Sequence, residues 1–333
     1  MLLDLLLVSF LTFVELNCEN LFDCRHDSLR NDTEYLPDSP RHWTPWRYWK
    51  KLNNIAQCLI AAGDYNGQSG LPDIIALCEV ENDSVMRDLT KRSLLRNAVY
   101  EYIVTNSDDP RGMNVSLVYS PFAFAPINHR SLRPRPVKKM PPTRDILYVS
   151  GRIITGDTLH IFVVHSPSRR NGERFTRPFR MAVAETVTRS IDSIRALSPC
   201  ADIIVAGDFN AYATDKSLCM YTSGGLFDVT SAARGSTARG TYRYKGRWGS
   251  LDHILMSASL LPAVDSSYIY DAPFLLEEDF VYGGVRPCRT YNGYKYSSEG
   301  TSDHLPLKVV LRIDSLRGRE RIKSRNTVSK SYN

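Results

Sequence analysis

At 333 residues and 43% hydrophobic content, the chain is long enough to bury a large core, and no low-complexity linker splits it into separate units. Its formal charge is +6, but six basic residues and one acid fall in 315–333, so residues 1–314 carry only about +1. That balance argues against a strong non-specific duplex binder, whose affinity comes largely from neutralising phosphates, and seven scattered cysteines lack the paired spacing of a zinc site and do not suggest a disulfide framework.

The chain opens on an apolar run, Met1 to Phe13. It is shorter than the ~20 residues needed to span a bilayer. A secretory core of ~7 to 15 residues would fit, yet no basic region precedes it, Asp4 interrupts it and no small-x-small cleavage site follows. Both a signal remnant and a buried first strand remain open, and with them a cytoplasmic or a secreted or periplasmic location. The expected division is an apolar segment at 1–12, one domain at 13–314 and a basic, disordered tail at 315–333.

The first strand is expected at Phe13 to Asn20. Thr44 and Pro45 read as an N-cap and first helical residue, with Trp49, Leu52, Ile55 and Ile60 carrying the helix to about Ala62. Asp73 to Glu79 is a short apolar strand, and Asp83 is expected to cap a helix running to about Leu95. Strands follow at Tyr102 to Thr105, Val115 to Tyr119, Ile146 to Ile154 and Leu159 to His165, several of them antiparallel because their connections are short. Arg130 to Arg144, with four prolines, reads as an exposed basic loop. A long helix over Pro178 to Leu197 precedes the strand at Ile203, and Tyr242 to Met256 and Leu305 to Ile313 complete the set. Strands dominate the middle with helices on either side, so the fold class is α/β, a layered sandwich of two packed, mostly antiparallel sheets with helices outside. A doubly wound sheet is disfavoured, and no phosphate-binding glycine loop is present.

The chemistry lies at strand ends. Asn17 closes the first strand, Glu79 the second and His165 the run Ile161 to Val164. Asp208 and Asn210 follow Ile203 to Ala206, Asp252 sits in Gly249 to Leu255, and Asp303 and His304 precede the last strand. A strand held in a core places such groups with the tolerance catalysis demands. Carboxylates, carboxamides and imidazoles together make the kit for hydrolysing a phosphate ester with a divalent metal.

Five motifs carry a wider likeness: Asn17-Cys18-Glu19-Asn20-Leu21-Phe22-Asp23, Cys78-Glu79-Val80-Glu81-Asn82, Gly207-Asp208-Phe209-Asn210, Leu251-Asp252-His253-Ile254 and Ser302-Asp303-His304-Leu305-Pro306. In this order they resemble the endonuclease/exonuclease/phosphatase superfamily, of deoxyribonuclease I-like fold, in its bacterial-type branch, from about Phe13 to Ile313. The resemblance implies a four-layer sandwich and magnesium-dependent hydrolysis of phosphate esters, with manganese as a substitute metal. It implies Glu79, Asn17 and Asp303 at the metal, and Glu19 as a weaker candidate where some relatives have an aspartate. It casts Asp208 and Asn210 as the pair that orients water and binds phosphoryl oxygens, and His304 as base or phosphate-stabilising group, oriented by Asp252. His165 matches a second histidine that binds phosphate or protonates the leaving group. Many relatives carry an acid where this chain has Asn114, and an amide cannot offset an imidazolium charge, which puts the acid role of His165 in doubt.

After His165, Arg169, Arg170 and Arg174 lie on a loop leaving the proposed active face, and the first two are candidate phosphate binders. The expected function is a metal-dependent phosphodiesterase, foremost a nuclease acting as a monomer on nucleic acid. The alternatives are a phospholipid head-group phosphodiesterase, with Phe274-Leu275-Leu276 or Tyr291 to Tyr296 as the apolar rim, a small-molecule phosphatase, or a non-catalytic binding protein on the same fold.

Overall fold

The computed structural model describes residues 10–67 and 69–313. Residues 1–9 of the apolar segment and the basic tail lie outside them. The first half of the chain runs β1 (Phe10–Leu21), α1 (Pro45–Ala62), β2 (Ile74–Val80), α2 (Asp83–Lys91), β3 (Glu101–Val104) and β4 (Asn114–Tyr119). The second runs β5 (Phe124–Leu132), β6 (Ile146–Ile153), β7 (Thr158–His165), α3 (Glu173–Leu197), β8 (Asp202–Asp208), α4 (Lys216–Ser223) and β9 (Leu226–Asp228). A hairpin of β10 (Tyr242–Tyr244) and β11 (Arg247–Gly249) leads to β12 (Asp252–Ser257) and β13 (Val264–Ile269). Two small hairpins, β14 (Leu276–Glu278) with β15 (Val285–Pro287) and β16 (Tyr291–Asn292) with β17 (Lys295–Tyr296), precede β18 (Leu307–Arg312).

These strands build two six-stranded sheets, ordered β13-β18-β1-β2-β4-β3 and β5-β6-β7-β8-β12-β9. Each sheet has one parallel pair, β1 with β2 and β7 with β8, and every other neighbour is antiparallel. Each parallel pair is joined by a helix, α1 in one case and α3 in the other. The sandwich is thus two βαβ units face to face, the expected mixed sandwich with helices outside.

Alternation along the strands builds the layers. In the second sheet Ile161, Val163, Ile204, Ala206, Ile254 and Met256 join the core shared with the first sheet. The intervening Phe162, Val164, Ile203, Val205 and Leu255 pack instead with Val183, Val187 and Ile191 of α3. The helix α1 is set by sequence as expected: Thr44 accepts a hydrogen bond from the Arg47 N–H at 3.4 Å, Pro45 starts it, and Leu52, Ile55, Ala56 and Leu59 are buried. No helix among the described residues is long and apolar enough to cross a membrane.

Several boundaries differ from the expectation. Asn82, not Asp83, caps α2, accepting from Val85 N at 3.0 Å. That helix stops at Lys91 because the Arg92 and Ser93 N–H groups both turn back to Asp88 O. α3 begins at Glu173 rather than Pro178; the Glu173 carboxylate binds Arg177 at 2.9 and 2.6 Å and so secures a first turn ahead of the proline. Part of the supposed loop at 130–144 is strand: Arg130 to Leu132 belong to β5, and Arg144 is buried. The stretch Tyr242 to Met256 is a hairpin and a separate strand, divided by the Lys245-Gly246 turn and the break before β12.

Candidate active site

The carboxyl ends of both parallel pairs emerge at one place. In register, Asn17 lies beside Cys78 in the first sheet and His165 beside Asp208 in the second. Close packing of β7 and β8 explains the glycine in Gly207-Asp208: its φ is 140°, and a Cβ there would lie 1.9 Å from Val164 O. Only glycine fits.

Around this point four non-glycine residues adopt left-handed backbone, Glu19 (φ 48°), Asn20 (φ 55°), Glu79 (φ 59°) and Asn210 (φ 48°). Such residues cost about 1–3 kcal/mol each and persist only where their surroundings over-determine them. Here the site's own side chains do so. Asn17 Oδ1 accepts from Glu19 N at 2.9 Å, Glu79 Oε2 from Asn20 N at 2.9 Å and Asp208 Oδ1 from Asn210 N at 2.8 Å.

Several of the contacts here cross between the sheets, and others tie the ends of β7 and β8 together. Asn17 Nδ2 donates to Asp208 Oδ2 at 3.1 Å. His165 Nε2 lies 3.6 Å from Glu79 Oε1 and 3.6 Å from Asp208 Oδ2. Asn210 Nδ2 donates to Asp208 Oδ2 at 3.0 Å and to Ser166 O at 3.1 Å. His304, in the loop entering β18, meets Asp252 Oδ2 of β12 through Nδ1 at 2.7 Å, and the Thr241 hydroxyl donates to the same oxygen. Ser302 braces this loop by donating to Asn17 O at 2.6 Å and accepting from His304 N at 3.1 Å.

Burial sorts the charges. It pushes the Asp208 carboxyl up to about 7, helped by the neighbouring Asp252 charge. It also works against a charged His304, but Asp252, through charge and hydrogen bond, outweighs it and holds that imidazole well above its ordinary range. His165 is driven the other way, by burial and then by Arg144 and Arg111, so it stays neutral at pH 7. Its Nδ1 has no hydrogen-bond partner among the described residues. The amide of Asn114 makes its hydrogen bonds elsewhere, to Glu81 O, Thr105 and Ser107.

The donor set suits a hard divalent cation. Glu79 retains 17% side-chain exposure where Asp208 has 3%, and Asn17 adds an amide beside them. Ligand atoms of Asp208, Asp252 and His304 also lie within 4.8 Å of one another. Asp252 Oδ2 already receives two hydrogen bonds there, while its Oδ1 has no hydrogen-bond partner among the described residues. Asp303 faces Arg289, 2.8 Å away, and Glu19 accepts from Thr290 N at 2.7 Å with the buried Lys51 ammonium 3.5 Å off. Arg169 is paired with Asp215 and lies over the Tyr212 ring, while Arg170 is exposed.

Sequence reasoning missed Thr241, Lys51, Arg144 and Glu15, and gave Ser302 no role although it stands in a quoted motif. The first three act through contacts with residues distant in sequence, for which spacing gives no signal. Glu15 is wholly buried, and neither carboxylate oxygen has a hydrogen-bond partner among the described residues. A charged residue inside an apolar strand, two before Asn17 and so on the same face, was the available clue.

A family model described as Endonuclease/Exonuclease/phosphatase family matches residues 12–313. No curated protein sequence matches the chain. Solved structures share the fold at low identity. A mannosyl-6-phosphatase of Bacteroides thetaiotaomicron is 18% identical with a TM-score of 0.62, the match covering 90% of this chain and 99% of that one. An endonuclease/exonuclease/phosphatase family protein of the same organism is 17% identical with a TM-score of 0.59, covering 91% and 98%. Truncated TDP2 of Caenorhabditis elegans is 16% identical with a TM-score of 0.55, covering 91% and 97%.

Proposed function

Because the chain belongs to the endonuclease/exonuclease/phosphatase family, whose members hydrolyse phosphate esters, we propose that it is a divalent-metal-dependent phosphodiesterase, foremost a nuclease. The observation that carries this reading is the convergence of Asn17, Glu79, His165, Asp208, Asn210 and the Asp252–His304 pair from two sheets onto one place.

Glu79 and Asn17, with Asp208 beside them, would hold the cation, and Asp303 would join them on leaving Arg289. Bound there, magnesium or manganese supplies charge that neutralises the phosphate and the oxyanion developing in the transition state. Asp208, with its carboxyl near pH 7, orients the attacking water and takes its proton. Asn210 keeps that carboxylate in place through its 3.0 Å hydrogen bond. His304, charged and backed by Asp252, stabilises the phosphoryl oxygens. His165, neutral and buried, suits hydrogen bonding to phosphate better than acid catalysis, in line with an Nδ1 that has no hydrogen-bond partner among the described residues.

The test is a substrate panel of bis(p-nitrophenyl) phosphate, plasmid, single-stranded DNA, RNA, sphingomyelin and a sugar monophosphate, each with magnesium, manganese or chelator. Diester and nucleic-acid cleavage that chelator abolishes is expected. Turnover of monoesters or sphingomyelin alone would replace the nuclease assignment, and chelator-resistant turnover would remove the metal.

A further inference from the structure

We infer that the two hairpins beside His304 form a stacking platform for unpaired bases of a single-stranded nucleic acid whose phosphate occupies the active site. This inference rests on the phosphodiesterase reading above. Tyr242, at the foot of β10, forms an isolated β-bridge with His304, and the two rings lie 4.9 Å apart. From there β10 climbs away from the site to the Lys245-Gly246 turn, whose two positive φ values, 48° and 75°, make the tight turn of a two-residue hairpin. At ~3.3 Å per residue the tip stands about 10 Å from the bridge. That is within reach of nucleotides flanking a scissile phosphate.

The β14–β15 hairpin leans on this tip. A Cβ at Gly246 would come 2.9 Å from the Tyr282 Cβ, so the two turns are in contact. Arg243 joins them with a buried pair, donating to Asp279 Oδ2 at 3.0 Å and to Gly283 O at 2.7 Å. Asp279 in turn accepts from Val281 N at 3.2 Å and Tyr282 N at 3.1 Å. This rigid base holds large apolar groups out in water: Phe280 is 87% exposed, Tyr282 54% and Tyr244 59%. Folding gains nothing from presenting them. A surface of this kind marks an interaction site.

Charge selects the occupant. Lys245 and Arg247 are exposed among the rings, and of the acids of the second hairpin Glu277 and Asp279 are paired with Arg286 and Arg243, leaving Glu278 as its exposed acid. Aromatic faces interleaved with exposed cations, of which Lys245 lies 5.4 Å over the Tyr244 ring, fit alternating bases and phosphates. A body of nearly balanced charge, about +1 over residues 1–314, cannot derive strong binding from phosphate neutralisation, whereas stacking supplies affinity without it. A duplex hides its base faces, so the platform favours single strands.

The experiment measures fluorescence anisotropy of a labelled single-stranded oligonucleotide and its duplex with the full chain in chelator, where nothing is cut. Turnover of bis(p-nitrophenyl) phosphate with metal is followed in parallel. The double variant Phe280→Ala, Tyr282→Ala is expected to weaken single-strand binding by about tenfold or more while small-diester turnover and duplex binding hold. Phe280→Trp should retain single-strand affinity. Unchanged affinity in the double variant, or an equal loss for duplex, overturns the platform. So does a double variant that keeps its single-strand affinity but no longer sediments with phosphatidylglycerol vesicles, because the hairpins then dock on a membrane. If the wild-type protein fails to turn over the small diester, the enzymatic reading falls while the binding comparison still decides this one.

Discussion

The two sheets contain the same unit, a parallel strand pair bridged by a helix, yet they deliver different chemistry at its carboxyl end. The first unit, β1-α1-β2, ends in Asn17 and Glu79, hard oxygen donors, with Glu79 open to solvent. The second, β7-α3-β8, ends in His165 and Asp208, both buried, and reaches on to Asn210. On the proposed function, cation-holding groups sit on one side and groups that handle protons and phosphoryl oxygens on the other. Neither half is complete. Asn17 holds Asp208, His165 lies against Glu79 and Asp252 holds His304, and each of these contacts is made across the sandwich. The lesson is that the fold positions catalysis through the docking of two equivalent halves, so a substitution can damage chemistry on one side without disturbing the other.

The sharpest way to separate the halves is at Glu79 and Asp208. Asp208→Asn should lower kcat by about a thousandfold even at saturating metal, as should His304→Ala, with an unchanged circular dichroism spectrum. Glu79→Gln should instead raise the metal concentration needed for half activity. If both variants respond identically to added metal, the division between the halves is wrong.

Close docking within the second unit is tested by Gly207→Ala, which sets a methyl group against Val164 O and should cost about 3 kcal/mol or more in a denaturant titration. A smaller loss would mean that β7 and β8 can part. Next in size is Asp252→Asn. Removing the charge behind His304 should reduce kcat/KM about 10- to 100-fold and return the imidazole titration, followed by NMR, towards its ordinary range. A titration that does not move would show that Asp252 is not what keeps His304 charged.

The mildest effect lies between the sheets. Burial, then the charges of Asp252 and Asp208, hold the Glu15 carboxyl well above its ordinary 4.5. Below that value the folded and unfolded chains both carry the proton. As pH rises past it, only the unfolded chain loses the proton, so wild-type stability falls by up to about 1.4 kcal/mol per pH unit until the folded group also ionises. Glu15→Gln should remove this slope and leave the protein more stable at pH 8 than the wild type, read from denaturant midpoints at pH 5 and 8. Parallel midpoint curves would mean that Glu15 is solvated or paired.

Much of this molecule was legible before folding was considered. Thr44-Pro45 and the apolar stripe after it determined α1, because caps and periodicity are local effects. Apolar strands ending in Asn17, Glu79, His165 and Asp208 marked a rim, because a two-residue period places consecutive groups on known faces. The two-sheet class followed from the run of strands without helices between β3 and β7. Other features were not legible. The edge strand β5 was missed altogether, since eight of its nine residues are partly or fully exposed and carry no apolar alternation. The hairpins at β10–β11 and β14–β15 consist of three-residue strands joined by an Arg243–Asp279 pair that spans 36 positions.

By itself, then, the sequence determined the helices, the long core strands and the kinds of group at their ends, because those depend on residues a few positions apart. Only the tertiary structure decided which group meets which. Asn17 reaches Asp208 across 191 positions and Asp252 reaches His304 across 52, distances over which local chemistry exerts no preference. Those pairings, with the neutral His165 and charged His304 that follow from them, come from two sheets excluding water between them and leaving each buried charge only the partners on the opposite face.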